Sequence, residues 1–235
     1  MIPIADDDSD LRCRPITVPL LLIACAAAWI AQLLFGEAVT MTWSAVPYEL
    51  THGMDFEHPV RVATPDGVVA IPHRPVPEAW MLWLTPLTAM FLHGSWLHFL
   101  GNMLYLHVFG DQIEDSLGRF RFLLFYLLCG LIACAAHVAT AHDSPLPMLG
   151  ASGAISGVLG AYMRLHPWKP VLVLVGILPL PLPAVFVLGL WFVLQWLGWR
   201  DGLEPVAYMA HIGGFVAGFV LIRRWGPRRR TAWSP

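Results

Sequence analysis

Residues 150–162 read GASGAISGVLGAY, an uncharged run with glycines at positions 150, 153, 157 and 160. Small residues three or four apart leave one face of a helix without side chains, so that another backbone can lie against it. A second run, AYMAHIGGFVAG at 207–218, has Gly213 and the i, i+4 pair Gly214 and Gly218. The two runs predict helices in close backbone contact inside an apolar bundle. Each also carries one reactive side chain near its start, Ser152 in the first and His211 in the second.

The rest of the chain fits an apolar bundle. Of its 235 residues 57% are apolar and only 13% charged, where an ordinary globular chain has about 25% charged. Mean hydropathy is +0.63, and the apolar residues gather in runs near bilayer length. The formal charge of −2 gives no basic surface for nucleic acid. Composition excludes disorder, collagen and a small disulfide scaffold. Cys25, Cys129 and Cys134 sit in apolar runs and Cys13 beside arginines, with no C-x-x-C pair. The cysteines are therefore expected to behave as small hydrophobes, and no metal or cofactor is expected.

Candidate spans run over 16–35, 95–110, 120–141, 149–165, 171–198 and 205–225. This predicts an all-α membrane protein: six transmembrane helices, a 1–15 tail, a membrane domain over 16–225 and a basic 226–235 tail. Asp6, Asp7, Asp8 and Asp10 replace the cationic start of a signal peptide. Eleven of the 14 Lys and Arg residues fall on one set of loops and both termini, three (Arg61, Arg74, Arg200) on the other. The positive-inside rule then puts both termini in the cytoplasm and makes 36–94 a long external loop between helices 1 and 2. Trp80, Met81 and Trp83 are its expected interfacial anchor. The absence of a transit peptide favours a bacterial inner membrane, and the Arg223–Arg230 run is expected to meet anionic lipid.

Polar groups at membrane depth are costly and by default functional. His98, Asn102, Ser152 and His211 stand out. The second, fourth and sixth spans run the same way, and at 1.5 Å per residue Ser152 and His211 both fall within ~10 Å of the outer edge. His98 is at similar depth, and Asn102 lies on the same helix face about 6 Å deeper. Ser152 at a helix start has free N–H groups and the positive dipole end beside it, which favour a developing oxyanion. His211 is the base such a hydroxyl needs. His98 and Asn102 are candidate donors to the oxyanion. Taken singly, Ser152 reads equally well as a helix cap and His98–Asn102 as a structural pair. His107, ~13 Å deeper than His98, reads as a satisfied bundle histidine, and Asp111, Glu114, Asp115, Arg119 and Arg121 as a solvated helix end. Glu204, two turns before His211, is a poor third member, so a dyad is expected. A transporter would need a charged relay down to the cytoplasm, which the spans lack. H-E-x-x-H and G-x-G-D are absent too.

These residues resemble the rhomboid intramembrane serine proteases. The likeness covers His93, Gly94, Ser95, Trp96, His98 and Asn102; Gly110, Glu114, Gly118 and Arg119; 150–162; Leu190, Trp191, Phe192 and Gln195; and 207–218. It implies a six-helix bundle with an outward-facing wet cavity that cuts the transmembrane segments of other proteins near their outer ends. Partners would be those transmembrane substrates and the lipid bilayer, with no nucleic acid. By motif position Ser152 is the nucleophile and His211 the base, with Gly150, Gly153, Gly214 and Gly218 as supporting motif. The resemblance likewise implies that His98, Asn102 and the Ser152 N–H would form the oxyanion hole. The alternative is a non-proteolytic relative that binds membrane clients. Two features depart from the family pattern. Ser156 stands where many members have an aromatic residue on the histidine, leaving open what orients His211, and the first external loop lacks a Trp-Arg pair, whose role would fall to Trp80 or Trp83.

Overall fold

A computed structural model of the chain describes residues 2–7, 9, 11–12, 14–64, 67–201 and 206–226. Cys13, Glu204, Pro205 and the arginines at 228–230 lie outside these. Strand β1 (Ile2–Asp6) is followed by α1 (Thr17–Phe35), α2 (Glu37–Trp43) and α3 (Pro47–His52). Then come the hairpin β2 (Val60–Thr64) and β3 (Gly67–Ile71) and the short helix α4 (Thr85–Thr88). Helices α5 (Trp96–Leu117), α6 (Arg119–Thr140) and α7 (Ser152–Leu165) follow. The hairpin β4 (Pro170–Val175) and β5 (Leu178–Pro183) leads into α8 (Ala184–Asp201) and α9 (Tyr208–Trp225). Of the described helices, α1 and α6 are long and apolar enough to cross a membrane by length and composition.

Helix α7 is the centre of the packing: every residue from Gly153 to Tyr162 is buried. It meets α9 backbone to backbone. A Cβ on Gly214 or Gly218 would overlap the carbonyl oxygens of Gly153 or Gly157, and one on Gly160 that of Phe215. On the α6 side, a Cβ on Gly153 would stand 2.8 Å from that of Ala133. Around this seam Phe109, Phe122, Phe125, Tyr126 and Tyr162 form the fully buried aromatic core.

The structure corrects several expectations. The fold is helical but not all-α. The fifth apolar run is a hairpin and then a helix, because Pro179, Pro181 and Pro183 cannot continue a helix. They alternate with Leu178, Leu180 and Leu182, so the missing N–H groups all lie on one side of an edge strand in the β1-β4-β5 sheet. Within the N-terminal segment, β1 pairs antiparallel with β4. Segment 36–94 is built of helices and a hairpin, and it is tied to the chain before α7. Ala45 and Met148 exchange backbone hydrogen bonds, and Tyr48 N–H donates to Ser144 O at 3.0 Å. Trp80 and Trp83 point outward.

Helix α5 runs past Gly110, the expected end of its span. That glycine is a packing residue: a Cβ there would stand 2.7 Å from Val18 Cγ2. The extension carries Glu114 into the core, at 2% exposure. Its carboxylate accepts from the N–H groups of Ile16, Thr17 and Val18 at 2.8–2.9 Å. An anion thus caps the start of α1, where free donors and the helix dipole favour negative charge. Asp115 pairs with Arg12 at 3.1 Å. The acidic cluster is therefore buried structure and not a solvated end. His107 is exposed, because it faces away from the bundle.

Candidate functional site

His98, Ser152 and His211 each stand in the first turn of a helix. Ser95 caps α5, its Oγ accepting from His98 N–H at 3.1 Å. This sets His98 in the first turn, folded back so that Nδ1 accepts from Gly94 N–H at 3.4 Å. A nitrogen that accepts is unprotonated, so the proton of the neutral ring sits on Nε2. Nε2 and Cε1 lie against Gly150, where a Cβ would stand 2.7 Å from both. Gly150 has φ +125°, a conformation side chains rarely adopt. Its N–H is anchored by Ala89 O at 2.8 Å. One turn beyond His98, Asn102 is 7% exposed, and its Nδ2 has no hydrogen-bond partner among the described residues. An unpaired buried donor is costly unless something else accepts from it.

Ser152 opens α7, but its hydroxyl does not cap the helix; Ala151 holds the cap position without a side-chain bond. Instead Ser152 Oγ lies 2.8 Å from His211 Nε2, in the first turn of α9. The contact crosses the glycine seam and depends on it: wider helices would separate the two atoms. Ser156 Oγ, one turn on, donates to Ser152 O at 2.6 Å and so folds back onto its own helix.

Ser152, His211, His98 and Asn102 all line one cavity of about 840 Å³. Its wall is largely apolar, including Leu149 and Trp191. Among the other polar side chains on its wall are Gln195 and His137, which matched depth does not single out. Gln195 of α8 puts Oε1 2.7 Å from His211 Nδ1. Its place in the resemblance was visible, but its partner was not, because α8 follows a hairpin whose course the apolar run hides. His137 of α6 also lines the cavity, with a buried Nδ1 that has no hydrogen-bond partner among the described residues. A lone histidine late in an apolar run gives no signal of where it points. The Trp191 ring lies 6.0 Å from that of His211, tilted by 40°.

A hydroxyl bonded to an imidazole nitrogen, beside N–H donors with nothing to donate to, is suited to nucleophilic attack with oxyanion stabilisation. The comparisons bear on the family. The Rhomboid domain profile matches residues 79–227. The chain is 33% identical over 139 residues to Rhomboid protease GluP from Bacillus subtilis (strain 168), covering 58% of this chain and 25% of that protein. It is 32% identical over 147 residues to RHOMBOID-like protein 5 from Arabidopsis thaliana, covering 61% and 43%. It is 25% identical over 226 residues to Rhomboid protease GlpG from Salmonella paratyphi A (strain ATCC 9150 / SARB42), covering 94% and 67%. The chain belongs to the rhomboid family, and is accordingly an integral membrane protein of helical fold. It spans a quarter to under half the length of the first relatives it matches.

Proposed function

We propose that this chain is an intramembrane serine endopeptidase that cuts the transmembrane segments of other membrane proteins near their outer ends. The observation that carries the proposal is the 2.8 Å contact between Ser152 Oγ and His211 Nε2 at the wall of the cavity of about 840 Å³. In the reaction, His211 Nε2 takes the Ser152 proton as Oγ attacks the scissile carbonyl. The oxyanion accepts from His98 Nε2–H, Asn102 Nδ2–H and the Ser152 N–H. His211 returns the proton to the leaving amine, releasing one product and leaving an acyl ester on Ser152. Water then enters and gives a proton to His211 as its oxygen attacks the acyl carbon. His211 passes that proton to Ser152 Oγ as the ester bond breaks, releasing the second product as a carboxylic acid and restoring the dyad. The cavity supplies that water inside an otherwise apolar protein.

We read α1, α5, α6, α7, α8 and α9 as six spans, with both termini in the cytoplasm of a bacterial inner membrane. The charge asymmetry of the loops supports this orientation. It sets the Ser152 end of α7 and the segment 36–94 on the outer side.

The test is labelling of the detergent-purified protein with a fluorophosphonate probe, together with cleavage of a model transmembrane substrate. Wild type is expected to label and to cut; Ser152→Ala and His211→Ala are expected to do neither while still inserting. Cleavage by purified Ser152→Ala would remove the nucleophile assignment. A folded wild type that neither labels nor cuts would favour a client-binding role.

A further inference from the structure

A dyad histidine needs its proton on the nitrogen remote from the serine. In water imidazole has no such constraint, since either ring nitrogen can carry the proton and the ring can turn about χ2. In related enzymes a stacked aromatic or a carboxylate commonly restrains it. Here Ser156 occupies the position where an aromatic would stand, and it bonds back to its own helix. Among the described residues no carboxylate bonds to His211; its Nδ1 meets the amide of Gln195.

From this we infer that Gln195 is a positioning residue for the dyad, holding His211 in the Nδ1–H form and aiming Nε2 at Ser152. The proposal rests on the protease reading and adds a member to it. The orientation of the amide decides the case. If Gln195 were turned over, its NH2 would donate to Nδ1; the ring proton would then move to Nε2 and block acceptance from Ser152 Oγ. The other end of the amide settles which way it faces. Gln195 Nε2 donates to Trp191 O at 3.4 Å, one turn back on α8, a carbonyl that can only accept. With NH2 committed there, Oε1 faces His211 at 2.7 Å and accepts from Nδ1–H. The Trp191 ring lies beside the imidazole and limits its tilt. An amide oxygen fixes the tautomer as a carboxylate would, but it carries no charge to stabilise the imidazolium. The device therefore orients the base without raising its basicity much.

Two readouts test this on the full-length protein in detergent micelles: the second-order rate of fluorophosphonate labelling of Ser152 as a function of pH, and the ¹⁵N chemical shifts of the His211 ring, which report the tautomer whether or not the protein is a protease. Gln195→Leu is expected to lose the amide, populate the Nε2–H form and label at least about tenfold more slowly. Gln195→Glu, nearly isosteric, is expected to restore the Nδ1–H form and label within about threefold of wild type, with the acid limb of its profile moved up by about one pH unit. That shift distinguishes a bond to the ring from a merely structural role for the side chain. A Gln195→Leu protein that keeps the Nδ1–H form and labels within twofold of wild type overturns the proposal. So does a Gln195→Glu protein with an unmoved acid limb. Wild type that shows the Nδ1–H tautomer yet never labels sinks the protease reading and leaves the His211–Gln195 bond standing.

Discussion

At the scale of the residue, the site sets a hydrogen-bonded serine and histidine beside a donor that no described residue accepts from. Asn102 Nδ2 is buried and unpartnered, and the Gly150 turn leaves room for the His98 ring where any Cβ would collide. Such features are retained when they act in a transition state instead of the resting fold. If Asn102 is one of several oxyanion donors, Asn102→Ala should lose on the order of 1–3 kcal/mol of barrier stabilisation, about 5- to 150-fold in kcat, with KM little changed. Steady-state cleavage of a transmembrane substrate measures it, and an unchanged kcat would take Asn102 out of the hole. The residues themselves were legible in the sequence, because polar groups in apolar runs are conspicuous. The partner of His211 was not. Gln195 lies 16 positions away on another helix, at a spacing no periodicity predicts.

At the scale of the element, glycine decides how near α7 and α9 approach. Gly218 stands so close to Gly157 that a side chain has no space, and Gly189 on α8 has nothing within 4 Å of where its Cβ would be. The two positions make opposite predictions. Gly218→Val should force the helices apart, costing roughly 1–3 kcal/mol or more and drawing His211 away from Ser152, so that labelling falls with stability. Gly189→Ala should stabilise by about 0.5–1 kcal/mol through helix propensity alone and leave labelling intact. Thermal unfolding in micelles beside probe labelling checks both; a Gly218→Val protein as stable as wild type would mean the seam can open without penalty. The glycine spacing announced this seam from the sequence. The hairpin at 170–183 was hidden, because a short apolar run reads alike as strand or helix.

At the scale of the whole molecule, segment 36–94 braces the loop that delivers Ser152. Besides the Ala45–Met148 pairing, Thr51 Oγ1 donates to His142 O at 2.8 Å. The brace contains a buried titrating cluster. Glu49, 5% exposed, accepts from Phe56 N–H at 3.0 Å and lies 3.6 Å from His73 Nδ1. Asp55 lies beside it as well. Burial pushes the Glu49 carboxyl up to about 7, against the Phe56 bond that lowers it and with Asp55 adding to the rise. Burial lowers His73, so both favour their neutral forms. The signs differ. A carboxyl whose folded pKa lies above its unfolded one holds its proton better when folded, so its contribution is full below about 4.5 and is lost as pH rises to about 7. The His73 contribution is present above its ordinary 6.5 and lost as pH falls below that. Glu49→Gln, neutral at every pH, should therefore keep the His73 limb and lose the Glu49 limb. Relative to this variant, wild type should lose thermal stability progressively between about pH 4.5 and pH 7; parallel melting curves across that window would contradict the assignment.

The sequence by itself determined that this chain is a bundle of apolar helices, that two of them meet along glycine, and that a serine and a histidine stand near the same depth. Those conclusions follow from composition, spacing and the fixed rise of a helix, which are local properties of the chain. Only the tertiary structure decided which atoms meet: that the Ser152 hydroxyl turns to His211 and not to its own helix end, that Glu114 is a buried cap, and that the Gln195 amide meets His211 Nδ1. A side chain's partner depends on rotamer, helix rotation and the path of distant segments, and a difference of a single ångström in any of them makes or breaks a hydrogen bond.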